Sequence, residues 1–435
     1  MDPLLLARLQ FATTTSIHFL FVIVTLGLVT LLVYLQTAWF ITKKPVYERL
    51  TRFWGTLYLI NYVLGIATGI VLEFQFGLNW SGLSRYVGNV FGAPLAIETL
   101  VAFFLESTFL GMWIFGWHRL RRGVHLALLW GVALTAYASA FWVMVANSWL
   151  QNPVGYQVRD GVAQLTDFPA LLANPTLIFA FPHVIGAALM TGGFLMAGVS
   201  SWHFIRRTPD FALFRKSLRI GLVTGLLGTW VVMAFGFPQF GAVGGVQPTK
   251  FGGNADQAGL IERWTSQFGP GDYTPPEWTV LPLGLMITIA FTLSCGFFLL
   301  PLLYRDWIIR LRFPLYMMLL AVPLPFVAAI FGWLVREVGR QPWAAYGLLP
   351  VSDAVSPVGA NVLLTSFVGF TLLLGALAVG NWVLLARHAA RGAGDLALGR
   401  PPEPPPTGQP DDTRPDDTRP DDTRPDDTRP VSVLA

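Results

Sequence analysis

The stretch TTTSIHFLFVIVTLGLVTLLVYLQTAWFI, residues 13–41, holds no Asp, Glu, Lys or Arg. A bilayer core about 30 Å thick takes roughly 20 helical residues, so this segment is long enough to cross it. It is too long for the apolar part of a secretory signal, and no small-residue cleavage site follows, so it reads as a retained membrane helix. Eight more stretches share its character, near 54–76, 94–116, 126–149, 176–201, 219–237, 279–303, 314–336 and 359–386. The fold class expected is an all-α integral membrane protein with nine transmembrane helices.

Composition agrees. Of 435 residues, 54% are apolar and 12% charged, about half the charge of an ordinary globular chain. Charge is needed wherever a surface meets water, so much of this surface meets lipid. The net charge of +4 therefore gives no reason to expect nucleic acid as a partner. One cysteine, Cys295, excludes an internal disulfide, a cysteine-held iron–sulfur cluster and a Cys-x-x-Cys-His haem attachment. It is expected to be a small packing residue.

Direction follows from the basic residues of the short connections. One set holds Lys43, Lys44, Arg49 and Arg52, then Arg119, Arg121 and Arg122, then Arg206, Arg207, Arg215, Lys216 and Arg219. Arg305, Arg310, Arg312, Arg387, Arg391 and Arg400 continue it. The alternate connections and the N-terminal segment carry fewer than half as many. The N-terminus is expected outside and the C-terminus in the cytoplasm. Residues 1–390 form the transmembrane domain, with a long outer loop at 238–278 rich in Gly, Pro and Gln. Residues 391–435, in which Asp-Asp-Thr-Arg-Pro repeats from Asp411 to Pro430, have little to bury and are expected to be a disordered cytoplasmic tail.

Ionisable side chains inside a span are costly and by default functional. Of six histidines, His118, His125, His203 and His388 lie at helix ends among basic residues and read as interfacial. His18 and His183 lie inside the first and fifth spans. Hocking an imidazole in hydrocarbon calls for a partner, and a metal or haem is the leading one. Glu73, Glu98, Glu106 and Glu337 fall within spans or at their ends. The plain alternative for such acids is pairing with Arg336, Arg340 or backbone donors. On a regular helix Glu98 and Glu106 would stand about 80° and roughly 12 Å apart, able to face one interior. By chain direction His18, Glu98, His183, Met286 and Glu337 all fall in the outer half of the membrane. Haem iron accepts His, Met or an anionic oxygen, and a His/Met pair makes a closed, electron-transferring centre.

With these residues on the page, the chain resembles subunit I of the cytochrome bd quinol oxidases, throughout except the tail and the long outer loop. The resemblance rests on Arg8-Leu9-Gln10-Phe11 with His18-Phe19-Leu20-Phe21, on Glu73 to Trp80, and on Phe91 to Gly111 with Ile97-Glu98 and Phe104-Leu105-Glu106-Ser107. Ala146 to Pro153, His183, and Gly332-Trp333 through Glu337-Val338-Gly339-Arg340-Gln341-Pro342-Trp343 complete it.

The resemblance implies two b haems and a d haem, or a third b, near the outer face. His183 and Met286 match the axial pair of a low-spin haem b. His18, Glu98 and Glu337 match ligands and neighbours of two high-spin haems where oxygen is reduced, with Trp333 and Arg340 beside them. Glu106, Ser139 and Asn147 match a path bringing protons from the cytoplasm. Lys250 matches the lysine of the outer quinol loop, and Glu262 could supply its acid. Implied partners are quinol, oxygen, membrane lipid, a second multi-helix subunit and, in some complexes, a small single-span one. The chain also departs from the family pattern. Gly284 stands where an Arg usually precedes the axial Met, and Gly236-Phe237-Pro238-Gln239 lacks the usual acid. Those departures keep a second reading open, a haem-bearing electron-transfer or oxygen-sensing subunit with an altered or lost quinol site. The terminal-oxidase reading, in the bacterial inner membrane, is the first.

Overall fold

The computed structural model describes residues 2–251, 257–394, 396 and 398–400. Among them nine helices are long and apolar enough to cross a membrane: Pro3–Thr42, Pro45–Leu78, Ser81–Phe115, Arg122–Gln151, Pro175–Arg206, Phe211–Val246, Glu277–Arg310, Arg312–Val338 and Ala360–Arg391. These are called the first to ninth spans below. Each expected span is present, and most run several residues beyond the apolar core.

Local chemistry sets several ends. Asp2 caps the first span by accepting from the Leu4 amide at 3.0 Å, with Pro3 in the first turn. Lys43, in the left-handed region at φ 55°, stops that helix, and Pro45 opens the next. Asn174 caps the fifth span through the Thr176 amide at 3.1 Å. Between the fourth and fifth spans, Tyr156–Arg159 pairs antiparallel with Val162–Leu165. Asp160 and Gly161 turn that hairpin with φ of 52° and 72°, the positive values a two-residue hairpin turn needs.

The first and fifth spans are the most enclosed, the seventh and ninth the least. Close approach is achieved with small residues, as between membrane helices generally. A Cβ on Gly193 of the fifth span would enter the backbone of Gly225 in the sixth, and one on Gly27 of the first would enter that of Ala188. The outward faces carry large apolar groups such as Phe298 (80% exposed) and Phe115 (75%), suited to lipid or to another apolar surface.

Four expectations change. The sixth span does not end near residue 237: a helix resumes at Pro238 and runs to Val246, with proline in its first turn where its missing N–H costs nothing. Residues 257–268 of the expected loop are helical too. The third span is not a regular α-helix, since Ile97–Phe103 is π-helical, which breaks the phase assumed above for Glu98 and Glu106. Cys295 is exposed on the seventh span rather than packed inside.

The compact unit runs from Met1 to Gly399. Beyond the last span, Ala393 and Leu398 are buried with the core cluster that includes Trp54 and Trp113, and His118 Nε2 donates to the Gly399 carbonyl at 2.7 Å. The packed part of the chain thus extends past the expected boundary at 390. The repeats lie outside the described residues.

Candidate functional site

Two cavities open inside the bundle. The smaller, about 170 Å³, is lined by His183, Met286, Trp333, Lys250, Arg336 and apolar neighbours. The larger, about 430 Å³, is lined by His18, Glu73, Glu98, Glu106, Ser139, Asn147, Glu337, Arg340 and again Trp333. The site residues expected from sequence, apart from Glu262, are therefore gathered around two adjoining spaces. Glu262 is exposed on the helix Gln257–Phe268 and lines neither. Its neighbour Trp264 is buried against Tyr273, Trp343 and Tyr346 instead.

The histidines divide by their hydrogen bonds. His183 Nδ1 lies 2.9 Å from the Val232 carbonyl; a carbonyl only accepts, so Nδ1 carries the proton and Nε2 keeps a lone pair. His18 Nδ1 lies 2.9 Å from Thr68 Oγ1, whose own proton goes to the Gly65 carbonyl at 2.7 Å. That leaves His18 in the same tautomer. Fixing one ring nitrogen so that the other can bind metal is the usual outer-shell arrangement. His125 and His203 differ: both of their ring nitrogens are engaged, by Gln36 and the Trp113 carbonyl, and by Thr208 and the Ala389 carbonyl. Both are buried, so they are internal structural groups and not interfacial ones.

A glycine lies flush against each candidate donor. A Cβ on Gly69 would come within 3.2 Å of His18, one on Gly236 within 3.1 Å of His183, and one on Gly332 within 3.0 Å of the Met286 sulfur. Side chains there would displace the donors.

The acids are held in three ways. Glu98 accepts from Ser139 Oγ at 2.6 Å and Thr99 Oγ1 at 2.9 Å. Glu337 pairs with Arg340 at 2.8 Å, both buried, and also accepts from Asn147 at 2.8 Å. Asn147 in turn accepts from Arg336 Nε at 2.6 Å. Glu106 is buried, and its Oε1 has no partner. Ser139 and Asn147, expected with Glu106 on one proton path, bond Glu98 and Glu337. Spaced along the fourth span, each meets the carboxylate at its own level.

Trp333 stands between the two cavities, stacked on Phe19 with centroids 5.4 Å apart. Lys250 donates to the Arg336 carbonyl at 3.1 Å. Burial, and then the charge of Arg336, bring the Lys250 ammonium down to about 7 against the pull of Glu337. Sequence reasoning missed Thr68, the Val232 carbonyl, Gln151, which donates to Glu337 at 3.3 Å, and the three glycines as parts of the site. Their contacts cross between spans and leave no local signature.

Imidazole, thioether and carboxylate groups around cavities inside an apolar bundle are what a membrane protein that grips a cofactor between its helices would present. The chain belongs to the cytochrome bd terminal oxidase subunit I family, whose model matches residues 6–258 and 256–393. It is 36% identical over 453 aligned positions to cytochrome bd ubiquinol oxidase subunit 1 of Bacillus subtilis, covering 90% of this chain and 95% of that one. It is 41% identical to the cytochrome bd-II ubiquinol oxidase subunit 1 of Escherichia coli over 64% of this chain and 53% of the relative. The solved bd oxidase of Geobacillus thermodenitrificans shares the fold with a TM-score of 0.80 at 23% identity, covering 90% of this chain and 99% of that one.

Cytochrome bd oxidases bind haems, and the donor set here fits such a group. Among the described residues no three His, Cys, Asp or Glu side chains cluster as a bare-metal site. One or two axial donors at a cavity wall suit a metal whose remaining ligands come with its macrocycle.

Proposed function

We propose that this chain is the haem-bearing subunit of a terminal oxidase that takes electrons from quinol and passes them to oxygen. The observation that carries the reading is the pair of histidines, His18 and His183, each with Nδ1 engaged and Nε2 left free at the wall of a separate cavity.

In this reading His183 and Met286 hold a low-spin haem b in the smaller cavity. His18, Glu98 and Glu337 serve two high-spin haems, one b and one d or a third b, at the larger. Haem supplies one-electron transfer at a closed centre and oxygen binding at an open one. The protein orients it. Thr68 and the Val232 carbonyl set the imidazoles, Gly69 and Gly236 leave them room as Gly332 does for Met286, and the Glu337–Arg340 pair stabilises a charge beside the larger cavity. Trp333 and Phe19 pack between the two spaces. Glu106 is the proton-handling acid, and Lys250 is the quinol-side cation. The exposed Glu262 can meet a quinol only from outside the smaller cavity.

Residues 1–399 are the working domain, with the N-terminus outside, the C-terminus in the cytoplasm and both cavities towards the outer face. Subunit I of a bd oxidase works with a second subunit. The two sparsely covered spans, the seventh and ninth, leave apolar surface for it and for lipid. Membranes of a bacterium expressing the complex, with other oxidases deleted, should consume oxygen when given a quinol. Haem absorption with no quinol-dependent uptake would instead favour the electron-transfer or sensing reading.

A further inference from the structure

Oxygen reduction consumes protons inside a bundle of apolar spans, and Ser139 and Asn147, expected on the path that delivers them, bond Glu98 and Glu337 and not Glu106. What approaches Glu106 from the opposite end is a pair of phenols. Tyr58 and Tyr62 stand one helical turn apart on the second span, the spacing that places side chains on one face. Their rings stack with centroids 5.7 Å apart. Both are electrostatic neighbours of Glu106. Tyr62 Oη lies 3.4 Å from the hydroxyl of Ser107, the residue next to Glu106, and Tyr62 lines the larger cavity with Glu106.

Three buried polar atoms of this group are unfilled. Buried polar atoms are nearly always paired, yet Tyr58 Oη and Glu106 Oε1 are both buried without a partner, and so is Nε of Arg52, six residues nearer the start of the span. Six residues of helix cover about 9 Å. Side chains lean towards a helix's N-terminus, here the end at Pro45, so the phenols reach back towards the basic connection. A half-buried phenol shows the contrast: Tyr137 Oη is held by Thr30 Oγ1 at 2.6 Å. A hydroxyl locked in place packs; one with donor and acceptor both spare can take a proton on one side and release its own on the other.

We propose that Tyr58 and Tyr62 form a proton relay from the Arg52 end of the second span, through Ser107, to Glu106. Each phenol accepts one proton and passes on one, so neither changes its net charge and no electron moves. The inference rests on the oxidase reading above and adds the residues that feed its proton-handling acid.

The test uses the purified, haem-loaded complex carrying Tyr58→Phe, Tyr62→Phe or both, with Tyr137→Phe as the control. Tyrosine to phenylalanine removes an oxygen and keeps the ring. The double variant should slow electrogenic proton uptake in vesicles by about a hundredfold or more, in the range a positioned proton donor supplies. Its rate should begin to fall at lower pH than the wild type's, with haem absorption unchanged. Tyr137→Phe should match the wild type. Independently of turnover, the infrared carboxyl band that Glu106→Gln abolishes should shift in Tyr58→Phe. Wild-type proton uptake in the double variant, an unmoved carboxyl band, or loss of haem from the Phe variants would overturn the relay. Failure of the oxidase reading is distinguishable, because the wild-type complex would then consume no oxygen at all.

Discussion

At the scale of single residues, the account depends on which imidazole nitrogen is free. His183 gives its Nδ1 proton to a carbonyl that can only accept, so its Nε2 is available to iron without a change of tautomer. His125 and His203 have no nitrogen to spare. We expect His183→Ala or Met286→Leu to remove the low-spin haem signal while the high-spin signals largely persist, as read by the reduced-minus-oxidised spectrum. Persistence of the low-spin signal in both variants would remove these residues as its ligands. His18, His183, Glu98 and Glu337 were legible in the sequence because each is polar where hydrocarbon should be, and the cost of that placement is itself the signal; Met286, whose thioether sits in a span at no such cost, was legible only through the resemblance. The tautomers were not legible. They depend on Thr68 and Val232, residues of ordinary type in ordinary apolar runs, which meet the histidines only once the spans have packed.

At the scale of elements, nine apolar runs announced nine helices, because length and apolarity suffice to identify a span. How the helices deviate was not announced. Nothing local distinguishes Ile97–Phe103, where the backbone becomes π-helical, from the α-helical residues around it. Such segments are frequent at functional sites, and this one begins beside Glu98. Pro238 suggested an end to the sixth span, yet it opens the continuing helix. Helix spacing also bears on the site. Gly193 lets the fifth span lie against Gly225 of the sixth, and the same pair of helices carries His183 and its partner Val232. Gly193→Ala should force the two apart, lower stability by roughly 1–3 kcal/mol as overpacking does, and weaken the low-spin haem signal. Thermal melting and absorbance of the purified protein would check both parts. Unchanged melting would show that the contact is slack.

At the scale of the whole molecule, the bundle is built to exclude water while holding a handful of polar groups around two adjoining spaces. Its most enclosed spans, the first and fifth, are those that carry His18 and His183. Its least enclosed, the seventh and ninth, face outward with apolar side chains. That gradient sets most of the chemistry apart from the lipid; Met286, which lines the smaller cavity from the seventh span, is the exception. Iron porphyrins held in these spaces underlie each of these readings. They are tested by the reduced-minus-oxidised absorbance spectrum of the purified protein, with extraction and counting of its haems. A low-spin b-type band, high-spin bands beside it and three haems per chain are expected; a purified, folded protein with no haem absorption would rule them out.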